Sequence, residues 1–156
     1  MAVYLIRHAN AGTRGQYPGP DGDRSLSTKG RERAEHIANL LGDRPISRIV
    51  SSPAARCVQT VAPLANRRDV VVEPRKDLAE GGEAQTVIDL LRDDADRHVV
   101  VCAHGDVIPR VIRLLTQDGM RVKGKEANQK GCVWEIDVED QRFARARYHP
   151  PQRDQA

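Results

Sequence analysis

Two of the five histidines in this 156-residue sequence directly follow short apolar runs. His8 comes after Ala2 to Ile6 and Arg7, and His104 comes after a run that ends at Ala103. Runs of this kind predict buried strands, and ligands bind at the carboxyl ends of the strands in open α/β sheets. A guanidinium beside an imidazole predicts an anion site with a nucleophile or a proton carrier in it. A surface arginine next to a loop histidine without function is the alternative for the first pair taken alone.

Arg56 adds a second guanidinium to this set. It follows Ser52 and Pro53, which are typical of the N-cap and first position of a helix. Its side chain is therefore expected at the same end of the sheet as His8. Two guanidiniums can clamp a phosphoryl group through paired N–H donors. One imidazole can then attack phosphorus while the other stabilises charge on the equatorial oxygens. These residues predict a phosphoryl-transfer site without a metal ion or other cofactor, because cationic side chains already neutralise the phosphoryl oxygens.

The remaining apolar residues alternate between strand and helix patterns. Strands are predicted at Ala2–Ile6, Ile46–Val50, Val70–Val72 and His98–Ala103, and a hairpin at Cys132–Val138 and Arg142–Tyr148. Helices are predicted from Ser27 to Gly42, after Ser52, around Val87 and around Val111, and Gln117 to Gly131 is predicted to be a loop. This order predicts an α/β three-layer sandwich, with a mostly parallel central sheet, helices on both faces and a C-terminal β-hairpin.

The composition restricts the class of protein. Hydrophobic residues make up 39% and charged residues 30%, which predicts one soluble domain over residues 1–150, followed by a flexible tail at 151–156. No apolar run approaches a membrane span and no signal peptide is recognisable, so the expected compartment is the cytoplasm. A net charge of +3 and 3% aromatic residues do not favour nucleic acid as a partner. Cys57, Cys102 and Cys132 match neither a disulfide framework nor a zinc site.

A loop follows the Arg7–His8 pair directly. Gly12 to Ser25 contains four glycines and two prolines, and long loops in compact domains are often functional. Asn10, Arg14 and Arg24 are therefore candidate substrate contacts. The basic segment Arg121 to Lys130 is expected to border the same pocket. A solvated surface is the alternative for these charges.

Five stretches, in their order along the chain, resemble the histidine phosphatase (phosphoglycerate mutase-like) superfamily. The resembling stretches are Leu5–Ala9, Leu26–Gly30, Ser51–Thr60, Leu78–Glu80 and His104–Gly105. The resemblance implies that His8 is the nucleophile that becomes phosphohistidine. It also implies that Arg7, Arg56 and His104 complete the phosphate pocket, and that Glu80 gives a proton to the leaving group. The family usually has glycine after the first histidine, and Ala9 stands there in this sequence.

The resemblance leaves more than one activity open. The short chain resembles phosphohistidine phosphatases of the SixA type more than the larger sugar-phosphate mutases. It thus implies a small phosphorylated substrate or a phosphohistidine protein as partner. Arg24–Ser27, Cys57–Thr60 and Lys130–Trp134 also resemble histidine phosphatase domains joined to Nudix domains, which act on nucleoside polyphosphates, although this sequence has no Nudix motif. A catalytically weak phosphate-binding module is the alternative of another class, and the complete set of site residues argues against it.

Overall fold

A computed structural model of the chain describes residues 1–124 and 127–151. Its strands are β1 (Ala2–Arg7), β2 (Ile49–Ser51), β3 (Val72–Pro74), β4 (Val100–Ala103), β5 (Arg121–Lys123), β6 (Val133–Glu139) and β7 (Arg142–His149). Its helices are α1 (Thr28–Leu41), α2 (Ala55–Arg68), α3 (Ala84–Asp93) and α4 (Ile108–Gln117). Short 3₁₀ turns occupy Asp21–Asp23, Lys76–Leu78 and Ala95–Arg97. The predicted tail, apart from Pro151, and Lys125 of the basic segment lie outside the described residues.

One sheet carries all seven strands in the order β3-β2-β4-β1-β6-β7-β5. β4 pairs in parallel with β1 and β2, and β3 is parallel to β2. β6 runs antiparallel to both β1 and β7, so the C-terminal hairpin extends the sheet on the other side of β1. All four residues of β4 are buried, as expected for a central parallel strand covered on both faces. The predicted sheet and hairpin are therefore confirmed.

The helices cover the two faces of the sheet in pairs. Tyr4 and Ile6 of β1 pack with α1 and α2, in a cluster that includes Leu41 and Leu64. Val3 and Leu5 point to the other face and pack with α3 and α4. This alternation follows from the two-residue period of a strand, and it produces the predicted three layers. Among the described residues, no helix has the length and apolar character needed to cross a membrane.

The helix ends show where sequence signals were sufficient and where they were not. Ser27 caps α1 as predicted, because its Oγ accepts a hydrogen bond from the Gly30 N–H at 3.1 Å. The predicted start of α2 at Ser52 and Pro53 is wrong, because α2 begins at Ala55 after a cap residue that makes no side-chain bond. The Ser52 hydroxyl lies instead 2.8 Å from His104 Nε2. A tertiary contact has replaced the helix cap.

Two strand predictions and one loop prediction are also corrected. Ile46 is buried but lies before β2, since its N–H donates to the Arg44 carbonyl in a turn. The Val70 N–H donates to the Ala65 carbonyl and closes the end of α2, so β3 starts two residues later at Val72. The segment predicted as a loop after Gln117 contains β5, a three-residue edge strand parallel to β7. Such a short strand has no periodic signal in the sequence.

Candidate active site

Arg7, His8 and His104 meet at one edge of the sheet. β1 and β4 are parallel neighbours with Arg7 opposite Ala103, so both strands end at the same level. The ring centroids of His8 and His104 are 5.5 Å apart, with 65° between the ring planes. Only 6% of His8 and 3% of His104 is exposed. Together with Arg56, these residues form what we call the pocket floor.

The protonation of His8 suits a nucleophile. Its Nδ1–H donates to the carbonyl of Ala9 at 2.9 Å, which leaves the Nε2 lone pair free. Burial lowers the pKa of His8 to about 3, and repulsion from Arg56, His104 and Arg7 acts in the same direction, against the bond to Ala9. The imidazole is therefore neutral at physiological pH.

The Arg7 guanidinium lies against the backbone that follows β4. A Cβ at Gly105 would come within 2.6 Å of Arg7 Cζ, so any larger residue there would displace the guanidinium from this position. Arg7 donates to the carbonyl of Asn128, and the Asn128 side-chain amide donates to the Gly105 carbonyl at 2.8 Å. Asn128 thus ties Arg7 to the end of β4. The sequence contained no signal for it, because it lies in an irregular segment 121 residues from Arg7.

Arg56 enters the site from the first turn of α2, as its position in the sequence predicts. It is only 1% exposed. One guanidinium N–H donates to the Asp21 carbonyl at 3.0 Å. Another nitrogen, Nη2, lies 3.3 Å from the Asp21 carboxylate and 3.4 Å from Glu80 Oε1. Its Nε has no hydrogen-bond partner among the described residues, so the guanidinium retains a donor for a further anion.

Thr60 couples the two sides of the floor. Its Oγ1 accepts a hydrogen bond from the Ala9 N–H at 2.9 Å and donates to the Arg56 carbonyl at 2.6 Å. The helix that carries Arg56 is therefore bonded directly to the residue after His8. Thr60 stood in a stretch that resembled the family, but the sequence did not reveal this linking role.

The loop of residues 12–25, called the covering loop below, is anchored on both sides of the floor. Asp21 is its centre, since its carboxylate contacts Arg24 at 3.0 Å, Arg14 at 3.4 Å and Arg56. The bond with Arg24 is the main cause of the lowered pKa of Asp21. Reasoning from the sequence missed Asp21, because a lone aspartate in a Gly/Pro-rich loop carries no periodic signal.

The three candidate substrate contacts fall in different places. Arg24 is 6% exposed and donates to the Ala11 carbonyl at 2.8 Å, so it holds the loop from beneath. Asn10 accepts hydrogen bonds from the Ser27 hydroxyl at 2.7 Å and from the Gly12 N–H at 3.0 Å, which fastens the loop to α1. Only Arg14 is open to solvent, with 60% of its side chain exposed, and it pairs with Glu80.

Glu80 stands opposite the covering loop. It contacts both Arg14 and Arg56, with 42% of its side chain exposed. The next residue, Gly81, has a φ of +84°, which favours glycine. The Gly81 N–H donates to the Asp106 carboxylate at 2.8 Å. The structure therefore brings the predicted acid to the Arg56 end of the floor, and Asp106 fixes its turn.

The structure places the two ends of the basic segment Arg121 to Lys130 at different distances from the site. Burial lowers the pKa of Lys130, and so does repulsion from Arg7, Arg24, Arg14 and Arg56, so this lysine borders the site. Arg121 and Lys123 lie on β5, which β6 and β7 separate from β1. At about 4.8 Å per strand this places β5 roughly 14 Å from β1. The expectation that these two residues border the pocket is therefore wrong.

No three His, Cys, Asp or Glu side chains in residues 1–124 and 127–151 are grouped so that they could hold a metal ion. The three cysteines of the sequence are buried and unpaired in the structure.

Two solved structures show how widely the fold is shared. A protein histidine phosphatase SixA complexed with tungstate superposes with a TM-score of 0.74 and 19% identity, covering 96% of this chain and 95% of that one. A mycobacterial glucosyl-3-phosphoglycerate phosphatase in complex with VO3 gives a TM-score of 0.69 and 19% identity, covering 96% and 97%. At these identities the likeness establishes the fold.

Sequence comparison gives a more specific relationship. An 8-oxo-(d)GTP phosphatase of Mycolicibacterium smegmatis is 29% identical over 154 residues, which is 96% of this chain. The chain spans 48% of the length of that relative, and 39% of two uncharacterized proteins of Mycobacterium tuberculosis that are 35% identical over 83 residues. The model of the histidine phosphatase superfamily (branch 1) matches residues 3–86, more than half of the chain. With a SixA-like fold and this match, the chain belongs to the histidine phosphatase superfamily.

Proposed function

We propose that this protein is a metal-independent phosphatase that works through a phosphohistidine intermediate on His8. The observation that carries the proposal is a neutral, buried His8 with a free Nε2 lone pair, placed among Arg7, Arg56 and His104. The two guanidiniums bind the phosphoryl oxygens as a fork. His104 and the same guanidiniums stabilise the charge that develops on those oxygens.

The reaction has two steps. His8 Nε2 attacks phosphorus and a P–N bond forms. In an ester, the P–O bond to the leaving group breaks, and Glu80, which has taken up a proton from solvent on release from Arg56, gives that proton to the departing oxygen. In a phosphohistidine substrate, the P–N bond to the substrate's imidazole breaks instead. Water then attacks the phosphohistidine and gives its proton to Glu80. The P–N bond breaks, which returns a neutral His8 and releases inorganic phosphate.

The carboxylates on Arg56 make room for the substrate. Asp21 and Glu80 both lie against Nη2 of Arg56 in the structure. A bound phosphoryl group competes for the same N–H donors, with more charge than either carboxylate. Binding therefore releases Glu80 from Arg56 and leaves it near the leaving group.

The substrate class that we favour is phosphohistidine or a small phosphomonoester. The pocket floor lies directly below the covering loop, and its charged groups recognise a phosphoryl group rather than a particular leaving group. A nucleoside polyphosphate is the second candidate. It is favoured by the relative named for 8-oxo-(d)GTP and by Arg14 and Lys130, which add positive charge beside the floor.

A substrate panel tests the proposal. p-Nitrophenyl phosphate, a phosphohistidine peptide, sugar phosphates and nucleoside polyphosphates are assayed with and without EDTA. We expect turnover that EDTA does not reduce and that His8→Ala abolishes, while His36→Ala, a histidine on α1 outside the pocket floor, retains it. Phosphate binding without any turnover would show a binding module instead, and loss of turnover in EDTA would contradict the metal-independent mechanism.

A further inference from the structure

Ser52 lies behind His104, on the connection between β2 and α2. It is fully buried. Its Oγ is 2.8 Å from His104 Nε2 and accepts the N–H of Ala54 at 3.3 Å. Among the described residues, the Ser52 hydroxyl bonds only this nearby N–H and His104, and the N–H bond is the longer of the two, so His104 is its main partner.

The surroundings of His104 Nε2 supply hydrogen-bond donors. The Ser52 Oγ accepts the Ala54 N–H with one lone pair and keeps its own proton, which it can donate to Nε2. Cys57 Sγ also lies 3.6 Å from this nitrogen, but its thiol proton points to the Ala103 carbonyl at 3.9 Å, so Ser52 is the closer partner of Nε2. With Nε2 accepting, the proton of a neutral imidazole stays on Nδ1. That atom is buried and has no hydrogen-bond partner in the described part of the chain.

We propose that Ser52 is a positioning residue that fixes the tautomer of His104, so that Nδ1–H remains available to donate to a phosphoryl oxygen. This inference rests on the proposed function, because it assigns the Nδ1 proton to the phosphate. The opposite tautomer would present a lone pair to the phosphoryl oxygens and would repel them.

The two histidines of the floor are thereby held in the same tautomer for opposite purposes. The Ala9 carbonyl takes the Nδ1–H of His8 and leaves Nε2 as the nucleophile. The Ser52 hydroxyl occupies Nε2 of His104 and leaves Nδ1–H as the donor. One ring therefore supplies an electron pair to phosphorus, and the other supplies a proton to an oxygen on it.

Nitrogen NMR of the histidine rings tests the tautomer without relying on activity. The protein is labelled with ¹⁵N-histidine and recorded at neutral pH, and the His104 signals are identified by their loss in His104→Asn. We expect a protonated Nδ1 and an unprotonated Nε2 in the unmodified protein, and a loss of this single tautomer in Ser52→Ala. A protonated Nε2 in the unmodified protein, alone or together with a protonated Nδ1, would overturn the proposal.

Kinetics provide the second readout, with a neighbouring serine as the control. Ser51 is equally buried, but its hydroxyl donates only to the backbone carbonyl of Ser52, at 2.8 Å. Ser52→Ala should lower kcat on the order of tenfold with little change in KM, as expected for one buried hydrogen bond that matters most in the transition state. Ser51→Ala should keep nearly full activity. Equal kinetics in the two variants would refute the role of Ser52, whereas turnover that survives His8→Ala would refute the proposed function and leave the tautomer result standing.

Discussion

His8, Arg56 and His104 of the pocket floor are 6%, 1% and 3% exposed, whereas the side chains of Arg14, Asp21 and Glu80 above them are 60%, 37% and 42% exposed. The floor is held by strand pairing and buried hydrogen bonds. Above the floor, Arg14 pairs with Asp21 and Glu80 through contacts that water and salt can reach. Buried partners keep their geometry and their energetic effect, while exposed pairs contribute little and can exchange. We therefore expect the floor to determine whether the chemistry occurs, and the covering loop with Glu80 to determine for which substrates.

The sharpest separation of the two regions concerns the leaving group. Glu80→Gln should slow the hydrolysis of alcohol phosphates by on the order of 10²-fold, the usual contribution of a general acid. It should spare p-nitrophenyl phosphate, whose phenolate leaves without a proton. The measurement is kcat across esters of increasing leaving-group pKa. Glu83→Gln is the matched control, and an equal loss on every ester would make Glu80 a phosphate-positioning residue instead of the acid.

The loss of activity caused by truncating a side chain of the pocket floor should be similar for every substrate. Arg56→Ala should cost about 2–4 kcal/mol of transition-state stabilisation, the range for a lost donor at a developing charge. Arg56→Lys should recover part of this, because a point charge replaces the Coulomb attraction but not the two-pronged fork. Comparison of kcat/KM on two unlike substrates is the test, with the exposed Arg31→Ala as control. Full activity of Arg56→Ala would remove this residue from the pocket.

Acid should weaken the floor before it affects the exposed ion pairs. Since the pKa of His8 falls from 6.5 to about 3 on folding, the unfolded chain binds a proton that the folded chain does not, at every pH between these values. The contribution of His8 to stability is thus complete above about pH 6.5 and decreases by up to about 1.4 kcal/mol for each pH unit below it. Urea unfolding at pH 7.5 and pH 5 should show a smaller loss for His8→Asn than for the unmodified protein. The same loss in both proteins would mean that His8 is charged in the fold.

The residues of the pocket floor could be predicted from the sequence, whereas several residues that hold the floor and the covering loop could not. Arg7, His8, Arg56 and His104 could be placed because parallel strands end together and a helix follows β2. The start of α2 was misplaced because a serine before a proline has the same sequence signal whether it caps a helix or bonds a histidine. Asp21 and Asn128 act through contacts with residues far along the chain, and neither belongs to a periodic pattern. Local sequence patterns therefore could not predict the long-range contacts that these irregular segments make.

The smallest effect is expected from the exposed charges beside the pocket floor. Arg14→Ala should raise KM for a nucleoside polyphosphate a few-fold at low salt, and the difference from the unmodified protein should fade as the salt approaches 0.5 M, because screening acts within about 10 Å at 0.1 M. p-Nitrophenyl phosphate should respond less. Arg121→Ala, on the distant β5, is the matched control. An identical salt response for both substrates would show that Arg14 belongs to a solvated surface.

The central claim is that the phosphoryl group passes through His8, and a trapped intermediate tests it most directly. Turnover of a ³²P-labelled substrate is quenched within the first cycles, and the label is mapped by peptide analysis. The account predicts label on His8 that survives alkali and is lost in acid, as a phosphoramidate should be, and none in His8→Ala. Label on a serine or an aspartate, or turnover without any covalent label on His8, would contradict it.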